Sequence, residues 1–128
     1  VREGFQELIL QPQSDLPHFR HFLSEIGWEI VREEMIKEDG KFYPMMKAVR
    51  NNSGKKNVYT EEEAWFGPLL LEKRHPVLKE YLLREEMIRK KILAGLSGAE
   101  SVSAKTRLAE VKEEMELIHT ALKRYESI

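Results

Sequence analysis

The chain has 128 residues, 41% hydrophobic and 34% charged, enough for one domain or a small domain with an appendage, and its charged fraction points to long solvated helices. A net charge of −1 supplies neither a global basic signature nor an acidic tail, and the lack of cysteine excludes disulfides, thiolate nucleophiles and zinc ribbons. No run reaches the ~18 apolar residues of a membrane span and no signal-peptide pattern is present, so a soluble, cytoplasmic protein is expected.

Residues 6–11 read as a short strand. Leu8-Ile9-Leu10 is an apolar run of the kind buried on both faces of a sheet. Ser14 or Asp15 can cap a following helix, and Pro17 is tolerated in its first turn. Leu16, Phe19, Phe22, Leu23 and Ile26 then share one helical face, and Gly27 is placed to end the helix. Trp28–Lys37 and Lys41–Arg50 read as two strands joined by a tight turn at Asp39-Gly40. The first fifty residues are therefore β-α-β-β, with one crossover helix and a closing antiparallel hairpin. A crossover makes parallel strands and covers one face only, whereas parallel sheets carry helices on both. This half reads as the end of a larger α/β domain whose remainder is absent.

The stretch 47–60 is polar and loop-like. Five basic residues and no acidic one lie between Gly40 and Thr60. Thr60-Glu61-Glu62-Glu63 starts a short helix with a cap and carboxylates in its first turn, and Gly67-Pro68 stops it. From Pro76 a long helix is expected, with Leu78, Tyr81, Leu82, Ile88, Ile92 and Leu96 as its stripe, interrupted by Glu85. Gly95 to Gly98 breaks it. Leu108, Val111, Met115, Ile118, Leu122 and Tyr125 then form a strict heptad seam. Two such helices joined by a Gly/Ser loop predict an antiparallel coiled-coil hairpin. The fold class is thus an α/β remnant plus an all-α hairpin: 1–50 the end of a Rossmann-like domain, 51–75 a linker with a short helix, 76–128 the coiled coil.

No catalytic motif is complete, and no catalytic, cofactor-binding or metal-binding residue is assigned. His18 and His21 stand three apart on a helix but lack a third ligand, so they read as surface residues, as do His75 and His119. Lysine and arginine displace counterions from a nucleic-acid backbone, which makes Lys47, Arg50, Lys55, Lys56, Arg89, Lys90 and Lys91 the RNA-binding candidates. Their plain alternative is a solvated loop and the charged flank of a coiled coil. Ligands of open α/β sheets bind beyond the carboxyl ends of the parallel strands, which singles out Gln11, Pro12, Asp39, Lys41 and Tyr43 as the substrate rim.

Three separated stretches, LILQP, IGWEIVREEMIKEDGKFY and YTEEEAWFGPLLLEKRHP, resemble the C-terminal half of one family, over nearly the whole chain. These are the bacterial S-adenosylmethionine-dependent tRNA (adenine-N1)-methyltransferases of the TrmK type, which methylate an adenine at position 22 in the D-arm region of tRNA. The resemblance implies a class I methyltransferase domain followed by a coiled coil, with S-adenosylmethionine bound by the N-terminal half that this chain lacks. It implies tRNA as the partner of a helical arm, and inactivity of this half alone. A truncated sheet exposes an edge and an apolar face, which favours homo-oligomers. Pro44 departs from the family pattern and predicts a late or poorly paired last strand. The competing reading is a stand-alone coiled-coil module that pairs with a protein partner.

Overall fold

A computed structural model describes residues 7–10, 15–51 and 57–126. Its elements are β1 (Glu7–Leu10), α1 (Leu16–Glu25), β2 (Trp28–Glu38), β3 (Lys41–Arg50), α2 (Glu61–Phe66), α3 (Pro68–Glu72), α4 (Pro76–Leu96) and α5 (Val102–Lys123). They fall into two compact units, Val1–Leu78 and Lys79–Ile128, so the first turn of α4 belongs to the first unit.

In the first unit the strand order is β1-β3-β2, with β3 antiparallel to both neighbours. β1 and β2 therefore point the same way, as a crossover requires, but they are not adjacent. The return strand of the hairpin fills the gap between them. Asp39 and Gly40 both take positive φ (52° and 76°), the backbone that lets a two-residue turn follow the twist of its strands. β2 and β3 stay in register from Trp28↔Arg50 to Glu38↔Lys41, with one bulge between Ile30 and Arg32. β1 ends at Leu10, opposite Met46, and Met46 faces Glu33. The five further residues of β2, to Glu38, run on as a two-stranded ribbon for roughly 17 Å at the usual rise per residue. Pro44 lies in that ribbon, opposite Met35, and β3 begins on time at Lys41. There β3 borders β2 alone among the described residues, the edge position in which a strand proline is tolerated.

Helix α1 covers one face of this sheet. Leu23, Trp28, Ile30, Met46 and Ala48 form its core, with Leu16, Phe19, Tyr59 and Leu69 packed against them. Phe22 and Ile26, expected on the buried helical face, are about half exposed, and Arg20 takes the buried position instead. Of the two candidate caps, Asp15 makes no side-chain bond to the helix, and Ser14 lies outside the described residues. The opposite face carries Ile9, Arg32, Glu34, Ile36, Tyr43, Met45 and Lys47 by strand alternation. Ile9 is 80% exposed, so β1 is not buried on both faces; the side chains at 8 and 10 lie outside the described residues. The described part of the predicted linker holds two short helices rather than one. α2 opens with a capping box, in which Thr60 Oγ1 accepts from Glu63 N–H and Glu63 Oε1 accepts from Thr60 N–H. α2 and α3 then bury Ala64, Phe66, Leu70 and Leu71 within the first unit.

In the second unit α4 and α5 run antiparallel. Lys79 Nζ sits over the Tyr125 ring, Glu86 pairs with His119 and Arg89 with Glu114. α4 ends at Leu96, within the expected break from Gly95 to Gly98. Val111, Met115 and Ile118 of the predicted seam are buried, joined by Ala121. On α4 the expected stripe holds except at Ile88. A 3–4 alternation continued from Leu82 passes through Glu85 and Arg89 to Ile92 and Leu96, and Ile88 is left 41% exposed. Arg89 Nη1 donates to Glu85 Oε1 (2.8 Å) and Arg89 Nε to Glu114 Oε1 (3.0 Å), one ionic layer in an otherwise apolar seam.

Candidate functional site

The ribbon is held at its root by a buried ion pair. Arg20 and Glu33, each 1% exposed, meet through Arg20 Nε and Nη2 donating to Glu33 Oε2 at 3.1 and 3.0 Å. Arg20 Nη1 also donates to the Ala64 carbonyl (2.7 Å), and the Leu69 N–H donates to Glu33 Oε1 (2.9 Å). One carboxylate thereby joins α1, β2 and the start of α3, with the guanidinium reaching α2. Gly67, at φ 95°, stands where a Cβ would come within 2.6 Å of that carboxylate. This is the physical content of the FGP stretch: the glycine clears the way, and the proline starts α3 where no N–H is required.

Beyond that root the ribbon brings Lys41 and Tyr43 to one face and Asp39 to its tip. Strand alternation adds Lys47 to the same face as Lys41 and Tyr43 and puts Arg50 on the other, where its guanidinium stacks 5.8 Å from the Trp28 ring. Lys47 Nζ is 3.1 Å from Glu7 Oε2. A shallow recess on this open face is lined by Ile9, Arg32, Glu34, Met45 and Lys47. Gln11, Pro12, Lys55 and Lys56 lie outside the described residues.

Among the helical candidates, Lys90 and Lys91 are exposed, whereas Arg89 is turned into the ionic layer and is 14% exposed. Its burial there disfavours the charge, but Glu85 and then Glu114 outweigh this and hold the guanidinium firmly protonated. A heptad frame carried through the charged positions would have found it.

One histidine expectation changes, whereas His119 stays on the surface, 49% exposed. His75 is only 13% exposed; its Nε2 lies 3.1 Å from Glu34 Oε1 and its Nδ1 accepts from the Val77 N–H. His119 lies 2.9 Å from Glu86. The Lys73 hydrogen bond, opposed by desolvation and helped by His75, holds the Glu34 carboxyl below its ordinary range. His21 lies 3.4 Å from Glu61, and among the described residues no three potential ligands converge on a metal position. No helix among them is long and apolar enough to cross a membrane.

The arrangement has counterparts. Residues 2–120 match the family model described as TrmK, tRNA (adenine(22)-N(1))-methyltransferase. A Mycoplasma pneumoniae protein provisionally named a tRNA methyltransferase is 35% identical over 66 residues, 52% of this chain and 30% of that one. A solved Listeria monocytogenes protein of uncharacterised function superposes with a TM-score of 0.86 at 26% identity, over 93% of this chain and 52% of its own. The crystal structure of the Bacillus subtilis m1A22 tRNA methyltransferase TrmK gives 0.78 at 25% identity, over 93% and 52%. A Streptococcus agalactiae structure assigned to the NADB-Rossmann superfamily gives 0.79 at 25% identity. The chain thus spans about half the length of these solved relatives and about a third of the mycoplasmal one.

Proposed function

Because this chain belongs to the TrmK family, we propose that it is the C-terminal part of a tRNA (adenine-N1)-methyltransferase that acts on adenine 22 with S-adenosylmethionine. One observation carries the reading: the family match runs through both compact units, so the helical pair belongs to the same inheritance as the sheet. In this reading the sheet is the last part of a class I methyltransferase sheet and α4–α5 is its coiled-coil arm. The sequence contains no glycine-rich strand-to-helix turn, and the described residues supply no cradle for the cofactor. That cradle belongs to the other half of the family fold, and this chain alone transfers no methyl group.

This chain's part is to position the substrate. Adenine N1 is blocked while base-paired, so the base has to leave its partner before it can react. The ribbon, with Asp39 at its tip and Lys41 and Tyr43 on one face, borders the substrate site, along with Gln11 and Pro12. Lys47, Arg50, Lys55, Lys56, Lys90 and Lys91 supply phosphate contacts. Arg89 keeps its arm rigid instead. The open sheet face and the edge of β1 favour association, either with the complementary half of the fold or with a second copy.

Binding of unmodified tRNA by this chain, measured by filter retention across a salt series, tests the proposal. Affinity that falls steeply with salt and drops on Lys55→Glu/Lys56→Glu supports it. Undetectable binding at about 50 mM salt would refute it for this chain and favour a helical interaction module. That second reading has one observation of its own: Leu83 and Met87, a turn apart on α4, are 45% and 55% exposed.

A further inference from the structure

The RHP triplet of the EKRHP stretch has no part in the proposed chemistry, yet every residue in it is constrained. Arg74 adopts a left-handed backbone (φ 49°), and the His75 N–H closes the turn on the Leu70 carbonyl at 3.0 Å. Pro76 opens α4 and has no N–H to satisfy. Val77 therefore carries the first donor of the helix, and its acceptor is the imidazole Nδ1 of His75 at 3.1 Å. The other ring nitrogen faces Glu34 Oε1 at 3.1 Å. Only the neutral ring with its proton on Nε2 can serve both partners, because an imidazolium has no acceptor left.

We propose that His75 is a proton-operated cap of α4: a proton added at Nδ1 removes the acceptor of the Val77 N–H and frees the first turn of the helix, while the ring keeps its Glu34 contact. The proton comes from solvent, and the released N–H passes to water. Charged groups from each neighbouring element face the ring: the Glu34 carboxylate of β2, the ammonium of Lys73, which follows α3 and donates to Glu34 Oε2 (3.1 Å) and to the Glu33 carbonyl (2.9 Å), and the positive end of α4. Arg32 and Glu72, which line the neighbouring recess with Glu34 and Lys73, contribute one charge of each sign. Acid thus loosens the segment through which the first unit continues into the long helix, without breaking the Glu34 contact.

Amide hydrogen exchange of the whole chain, resolved by NMR and corrected for intrinsic rates, tests this between about pH 7.5 and about pH 5.5. Protection at Val77 should fall about fivefold, the usual worth of an N-cap, in step with the His75 ring resonances. Ala104, whose N–H is capped by the non-titrating Ser101 Oγ at 3.1 Å, should not change. His75→Asn keeps an acceptor and should make Val77 independent of pH. Constant protection at Val77 while His75 titrates would overturn the proposal, and so would an undiminished fall in His75→Asn. Should that variant fail to fold, the wild-type contrast between Val77 and Ala104 decides alone. No tRNA enters the measurement, so its result is separate from the fate of the methyltransferase reading.

Discussion

At the scale of single residues, the first unit turns on a charge where a sequence reader expects none. Arg20 sits mid-helix and Glu33 mid-strand, each in a sequence that looks amphipathic without it. Their pairing is visible only once α1 lies across β2. Arg20→Leu strands the Glu33 carboxylate in the core and should cost about 3–5 kcal/mol by urea denaturation. The double variant Arg20→Leu/Glu33→Leu should lose less than the single, since no charge is then left alone. Gly67→Ala forces a methyl onto that carboxylate at a backbone angle that side chains avoid, and a loss of roughly 2–4 kcal/mol is expected in the same assay. In the helical pair, burial pushes the Tyr125 hydroxyl up to about 12. The fold favours the neutral phenol, so this contribution is whole below the ordinary value of 10.0 and is lost as pH climbs toward 12. Alkaline melting followed by tyrosinate absorbance should show wild type losing stability above pH 10 more steeply than Tyr125→Phe.

At the scale of elements, the sequence was informative where local chemistry decides and silent where tertiary contacts do. The Asp39-Gly40 turn, the Thr60 capping box and the α5 seam were all legible, because each depends on residues within a few positions of one another. The placing of β3 between β1 and β2 was not, since alternation and turn type are identical whichever side the return strand takes. The α4 stripe misled for a related reason: Ile88 outranks Glu85 and Arg89 in apolarity, but the seam follows spacing and tolerates charges that meet partners. Ile118→Ala should therefore lower the stability of the helical pair by about 3 kcal/mol, whereas Ile88→Ala should cost under about 1 kcal/mol, as followed by thermal melting. Of the candidate site, the place of Asp39, Lys41 and Tyr43 on the ribbon was readable from the hairpin alone. Arg89 was missed because apolarity drew the stripe to Ile88; a heptad frame through Glu85 marks it as inward, though its partner Glu114 lies on another helix.

For the whole molecule, the sheet face that carries Ile9 and Ile36 (80% and 44% exposed) is open among the described residues. Light scattering at high concentration should find the chain self-associated, and Ile9→Lys together with Met45→Lys, which charge the open face, should return it to monomer. A monomer in the wild type would mean that this face and edge are tolerated bare. The ionic layer between α4 and α5 has a consequence of its own. Sliding α5 by one heptad in one direction would set Arg89 against Arg107, two cations at close range. Sliding it the other way would set Arg89 against Ala121, so that it loses the Glu114 carboxylate and keeps Glu85 of its own helix. A uniform apolar seam would admit all three alignments at similar free energy. This one admits a single alignment, so the length of the pair and the position of its far turn are fixed as on a ruler with one mark.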